Sequence, residues 1–407
     1  MRLPWPRVFR LTLPPLLAAL LIAPLGARPD QAEIDQRDLK EWLSYLASDS
    51  LQGRQVFTEG LGLAAAYIAD HLTRWKVQPA GDDGTYFQTV HVRSVRTESR
   101  SSVTVEVNGQ RRVFKDGEGV TFPRKMGSRQ TITSEPLFTG YGLELPAAGI
   151  DDYEGVDAEG QIVVFLGRGP DVPGASVRLL NARSRNALAK GARATIGPAA
   201  ASTRGPRASQ PSGSAAASDF TTTERYDLPA PPALTASDEF YEFLFSGSPV
   251  PYAALKEKAG RREPLPKVDL QGVRLTIDID ADYTVVRTRL SRNVVGVVPG
   301  TDPKLRDTYV AFGAHYDHVG YLETASETAR GAGTFSGTCP GQTRETPRPG
   351  DVVNNGADDD GSGTVALMAV AKAFATGPRP KRSLLFVWHT GEEAGLYGSR
   401  YYADYPL

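Results

Sequence analysis

The sequence predicts an α/β fold, a sheet covered by helices, and three observations in its last third carry that expectation. Residues 383–388, Ser-Leu-Leu-Phe-Val-Trp, form a continuous apolar run between polar segments, which suits a central strand buried on both faces. Residues 363–374 are apolar nearly all round, the pattern of a buried helix, with Asp360 or Ser362 placed to cap it and Gly377-Pro378 to stop it. Strands at 293–298 and 308–312, linked by a turn at 299–303, complete an order of strand, helix and strand.

Earlier elements follow from the same kind of reading. Residues 38–47 carry Leu39, Trp42, Leu43 and Leu46 at helical spacing. Leu61, Ala65, Ile68, Leu72 and Trp75 form the stripe of a second helix, ended by Pro79-Ala80-Gly81. Alternation over 101–107, the turn pair Asn108-Gly109 and a return strand over 111–114 predict a hairpin. A new unit begins near Ser134, with strands at 136–142, 161–166 and 194–196 and a helix over 177–190. Residues 198–218 are almost wholly Ala, Ser, Gly, Pro and Arg, cannot furnish a core, and read as a mobile loop.

At 407 residues the chain is long enough for two or three domains. Its 46 Lys and Arg nearly cancel its 47 Asp and Glu, so charge makes no case for nucleic acid or an anionic membrane as partner. The single cysteine, Cys339, excludes an intramolecular disulfide and reads as incidental in a turn-rich loop. Residues 1–27 join a basic start (Arg2, Arg7, Arg10) to a short apolar stretch and a small-residue exit at Gly26-Ala27. This reads as a cleaved signal peptide, hence a secreted or periplasmic protein with no stable membrane insertion after cleavage.

Three polar clusters fall beside the apolar elements of the last unit, where α/β folds gather ligands. In Gly313-Ala314-His315-Tyr316-Asp317-His318, His315 and Asp317 point the same way on an extended backbone. His315 can then bind a metal while Asp317 orients a ligand or water; the alternative is a satisfied polar strand end. In Asn355-Gly356-Ala357-Asp358-Asp359-Asp360-Gly361, three adjacent carboxylates repel one another unless a cation or a helix N-terminus offsets them. A solvated capping turn is the plainer reading. Thr390-Gly391-Glu392-Glu393-Ala394-Gly395 follows the buried strand, and at a turn its glutamates can divide tasks, one binding metal and one moving a proton. Paired surface glutamates are common, but the strand before these is too apolar for a surface.

Together the clusters resemble those of the M28 family of zinc peptidases. Residues 46–54, Leu-Ala-Ser-Asp-Ser-Leu-Gln-Gly-Arg, are similar to the opening segment of its longer bacterial members. Phe138-Thr139-Gly140-Tyr141-Gly142, Asp152-Tyr153 and Ile162-Val163-Val164 resemble the protease-associated domain inserted in them. The resemblance implies a mixed sheet with helices on both faces, of the zinc exopeptidase, phosphorylase/hydrolase-like type, with an inserted mainly-β protease-associated domain. It divides the chain into a signal peptide (1–27), an N-terminal part of the peptidase domain (28–130), the insert (131–270) and the peptidase core (271–407).

Residue by residue, the resemblance assigns His315 to one zinc, Asp359 to a bridge between two zincs and Glu393 to the second. Glu392 becomes the general base, and Asp317 the residue that orients His315. The implied activity is aminopeptidase hydrolysis of the N-terminal bond of peptides or proteins. Carboxypeptidase, glutaminyl cyclase-like and non-catalytic relatives are the alternatives. The family also uses a later Asp and a later His. After Glu393 the only carboxylate is Asp404, expected at a helix end rather than at a metal, and no histidine follows His389. The resemblance thus implies a C-terminally truncated chain with three of five zinc ligands. His318 and His389 are expected at strand ends or behind the ligands.

Overall fold

The computed structural model describes residues 34–173, 179, 181–199, 218–226, 228–321 and 351–407. The first element among the described residues is α1 (Gln36–Leu46), capped by Asp35, whose carboxylate accepts from the Arg37 N–H at 2.8 Å. Helix α2 (Glu59–Arg74) begins where Thr58 Oγ1 accepts from Leu61 N, and it buries the expected stripe of Leu61, Ala65, Ile68 and Leu72. Strands β1 (Gln78–Pro79) and β2 (Phe87–Ser99) follow. The predicted hairpin is β3 (Ser102–Val107) and β4 (Gln110–Lys115), turning at Asn108-Gly109 with both residues at positive φ.

Next come β5 (Val120–Thr121), β6 (Gln130–Ser134), β7 (Pro136–Phe138), the pair β8 (Glu144–Leu145) and β9 (Ile150–Asp151), and β10 (Ile162–Val164). The strand expected over 136–142 stops at Phe138, because Gly140 and Gly142 turn the chain at positive φ. Helix α3 (Arg183–Ala189), β11 (Ala194–Pro198), β12 (Ser218–Thr222) and β13 (Ala233–Ala236) precede α4 (Asp238–Leu244), α5 (Tyr252–Gly260) and β14 (Val273–Ile279). The last unit holds β15 (Ala281–Val298), β16 (Tyr309–His315), α6 (Gly363–Thr376), β17 (Ser383–His389) and α7 (Tyr397–Asp404). The low-complexity stretch falls almost wholly outside the described residues, as do Cys339 and residues 1–27.

Two cores organise these elements. The first surrounds a mixed sheet of order β12-β2-β15-β17-β16, in which only β16 and β17 run parallel, with β1 continuing the β2 edge along β15. Helices α1, α2 and α6 cover one face, bringing Trp42, Ile68, Leu72 and Met368 into one core with Phe386 and Trp388 of β17. Helix α7 covers part of the other through Tyr397 and Tyr401 against Val90 and Val92. The expected central strand is β17, between β15 and β16.

The second core joins an antiparallel sheet, β4-β3-β14-β6, to a largely parallel one, β5-β13-β11-β10-β7. Its buried side chains run from Val103 to Ala281. Strand β15 is far longer than the predicted 293–298. Its first half is largely exposed, Val285, Val286 and Leu290 included, and is held by backbone pairing to β2, which hydrophobic patterning does not register.

Candidate metal centre

Strands β16 and β17 pair in parallel with His315 opposite His389, so the chain leaves both at the same end of the sheet. Residues 315–318 and 390–393 therefore converge. The acidic turn 357–360 is brought to them by α6, because Thr364 Oγ1 donates to the His315 carbonyl at 2.8 Å and Trp388 Nε1 to the Thr364 carbonyl at 3.2 Å. All three sequence clusters meet here.

The acids of the turn divide their tasks. Asp358 is exposed, and its carbonyl accepts from Ser362 Oγ at 2.9 Å. Asp360 turns inward: it accepts from the His315 N–H and from the Gly363 N–H, both at 3.1 Å, and so caps α6. Asp359, the middle acid, places Oδ1 3.1 Å from His315 Nε2. The glutamates separate as well. Glu393 Oε1 lies 2.7 Å from His318 Nδ1, whereas Glu392 Oε2 lies 3.9 Å from His315 Nε2.

His318, Asp359 and Glu393 can each offer one donor atom, all within 4.8 Å of one another. Zinc bonds to histidine nitrogen and carboxylate oxygen run to about 2.0–2.2 Å, so donors this close fit around one ion. His315 Nδ1 lies 3.2 Å from the Asp317 carbonyl, which favours a proton on Nδ1 and leaves Nε2 free to face Asp359.

Asp317 is fully buried, but its carboxylate is not hydrogen-bonded to His315. Its Oδ1 lies 3.7 Å from His315 Nδ1 and accepts instead from the Glu392 N–H at 3.0 Å, while Oδ2 accepts from the Glu393 N–H at 3.3 Å. Asp317 thus fixes the glutamate turn through its backbone and acts on His315 through its charge.

Burial opposes a charged His315, but Asp317, Glu392 and Asp360 outweigh it and push its pKa up to about 9. Burial also raises the Glu392 carboxyl, helped by Glu393, Asp317 and Asp359 and opposed by His315. His389 sits behind this group, pulled down to about 4 by burial and by the neighbouring His315, with Nδ1 unpartnered among the described residues. Asp404 lies at the end of α7, where it accepts from the Arg225 N–H at 2.7 Å, away from the cluster.

His318, expected at a strand end or behind the ligands, lies in the donor cluster. A His-Tyr-Asp-His run beyond a strand was the available signal, but which histidine meets Glu393 depends on how the chain turns after His315. Arg54 was not singled out at all. It is 1% exposed and donates to carbonyls on both sides of the centre.

Residues 293–406, the last quarter or so of the chain, match the model of Peptidase family M28. Among curated relatives, a vacuolar membrane protease of Verticillium alfalfae is 45% identical over 53 residues, which are 13% of this chain and 5% of that protein. A leucine aminopeptidase 2 of Arthroderma otae is 47% identical over 49 residues, 12% of this chain and 10% of that protein. The matched stretches thus span only a small part of these relatives' length. Among solved structures, the zinc aminopeptidase of Bacillus subtilis aligns at a TM-score of 0.31 with 18% identity, over 92% of this chain and 66% of that one. A Peptidase M28 precursor from Shewanella amazonensis aligns at 0.28 with 18% identity, over 90% and 70%.

One expectation is corrected by these relatives. The secreted or periplasmic placement does not stand, because several of the matching proteins are vacuolar membrane proteases of fungi. Among the described residues no helix is long and apolar enough to cross a membrane.

Proposed function

We propose that residues 293–406 carry the metal-binding and proton-transfer part of a metal-dependent exopeptidase that hydrolyses N-terminal peptide bonds. The observation that carries this reading is the convergence of His315, His318, Asp359, Glu392 and Glu393 at one end of the sheet, within a segment matching a peptidase family.

Mixed nitrogen and oxygen donors suit zinc. His315, His318, Asp359 and Glu393 are the residues that would hold it: Asp359 lies 3.1 Å from His315 Nε2 and its donor atom within 4.8 Å of those of His318 and Glu393. Bound zinc supplies Lewis acidity for the scissile carbonyl and for the attacking water.

The chain's own groups do the rest. Glu392 is held by the Asp317 bond to its N–H, with its carboxylate aimed toward His315 and clear of the Glu393–His318 pair. Burial and neighbouring acids raise its proton affinity, which suits a base that takes a proton from water and returns it to the leaving amine. His315 and His318 orient the acids around them and leave an exposed side of Glu392 for substrate: its side chain is 38% accessible, against 12% for His318.

The test is hydrolysis of an aminoacyl chromogenic amide by this chain with and without a chelator. Activity abolished by chelation and restored by zinc supports the reading; activity indifferent to chelation overturns it.

A further inference from the structure

Arg54 lies outside the family-matched segment and its guanidinium is buried. Nε donates to the Tyr316 carbonyl at 2.9 Å, Nη1 to the Asn355 carbonyl at 2.8 Å and to the Leu46 carbonyl, and Nη2 to the Gly356 carbonyl at 2.8 Å. Its own carbonyl accepts from the His318 N–H at 3.1 Å, and the Gly53 carbonyl accepts from Gly320 N at 3.2 Å.

The two segments so joined carry the donor groups. Tyr316 sits between His315 and Asp317, and Asn355-Gly356 leads into the turn that holds Asp359. Among the described residues no carboxylate lies within ion-pair distance of Arg54. Burial lowers its pKa, and the nearby charges that oppose this are Asp317, Asp360, Asp359 and Glu393, all acids of the centre.

The backbone bringing Arg54 there is costly. Gln52, Gly53 and Arg54 all have positive φ, at 53°, 65° and 48°, and a Cβ on Gly53 would come within 2.6 Å of the Asn354 carbonyl oxygen. Each non-glycine residue held this way is strained. Burying a cation with no carboxylate partner is costly besides. A simple strap between loops would need neither; a fork of N–H donors aimed at carbonyls, carrying a charge opposite to the acids, needs both.

We propose that Arg54 is the positioning residue of the centre. Its guanidinium pins the histidine segment (315–318) to the acidic turn (355–360) so that His315, His318 and Asp359 face one another, and its charge offsets the assembled carboxylates. The inference rests on the metal-centre reading above, but its mechanical half does not need a metal.

The test compares the full chain with Arg54→Met, Arg54→Lys and a matched core variant, Leu72→Ala, which weakens the same core away from the donors. Amide hydrogen exchange is followed over residues 315–321 and 353–363 without metal, and zinc alone is titrated by calorimetry. Arg54→Met is expected to speed exchange in both segments and to weaken zinc binding by about 10- to 100-fold, the range for residues that orient ligands. Arg54→Lys keeps the charge without the planar fork and is expected to fall between; it decides the matter if Arg54→Met does not fold.

Leu72→Ala is expected to melt earlier with zinc affinity within about twofold of the parent, as for a site with no shared partner. Parent-like exchange in both Arg54 variants overturns the clamp. Parent-like zinc affinity in both, or an equal loss in Leu72→Ala, overturns the positioning role. A parent chain that binds no zinc overturns the metal reading instead, while the exchange comparison still decides the clamp.

Discussion

The unit spanning Val103 to Ala281 and the unit around the six-stranded sheet bury different chemistry. The first fills its core with Val, Ile, Leu and aromatic side chains, and the polar groups it buries there are hydroxyls such as those of Thr139 and Thr195. In the second, Arg54 and Asp317 are fully enclosed, and they are the two buried members of the Arg, Lys, Asp and Glu classes among the described residues. Both are satisfied by backbone: Arg54 by four carbonyls, Asp317 by two N–H groups. Buried charge is expensive. That the fold concentrates it at one end of one sheet, where the donor atoms converge, marks that end as the place of chemistry, whereas the other unit is built for packing.

The comparison can be broken most decisively at Glu392. Glu392→Gln should lower the hydrolysis rate by about two to four powers of ten with little change in unfolding midpoint, read by initial rates and urea denaturation. Asp317→Ala should strike both properties. It leaves the N–H groups of Glu392 and Glu393 unpaired and removes the acid whose charge most favours the Arg54 cation, so we expect about 3 kcal/mol of lost stability together with weakened zinc binding.

In the other unit, Leu275→Ala opens a cavity at a fully buried position and should cost about 2–5 kcal/mol while zinc affinity holds. Zinc affinity falling in step with stability there would erase the distinction between the units.

The smallest effect concerns His71, packed among Trp42, Tyr67 and Trp75. Burial lowers its pKa below 6.5 against an opposing bond to the Tyr67 carbonyl. The unfolded chain therefore binds the proton first: His71's contribution is present above pH 6.5 and is lost as pH falls from there through its folded value. His71→Phe should lose less stability than the parent between pH 7 and pH 5, measured as the difference in urea midpoints.

Much of this site was legible in the sequence because its parts are local. His315, Asp359 and Glu392-Glu393 each sit beside an apolar element whose burial is visible in its pattern, and the structure brings Asp359 and Glu392 within 4 Å of His315 and Glu393 within 4.8 Å of Asp359. What pattern could not show were pairings between distant segments. Arg54 reaches Tyr316 across 262 residues, and His318 meets Glu393 across 75. The resemblance made Asp317 the residue that orients His315, yet the strand ends at His315 and the carboxylate accepts from the glutamate backbone. The exposed half of β15 was unreadable for a related reason: it is held by the backbone of β2 rather than by burial of its side chains.

The central claim, that these residues form a metal centre, is tested most directly by titrating zinc into the parent chain and into Asp359→Ala at neutral pH by calorimetry. The account predicts saturable binding to the parent and a loss of about 100-fold or more in the variant, since removing a metal ligand costs at least as much as removing the groups that orient one. Equal affinity in the two proteins, or no binding to the parent, would contradict it.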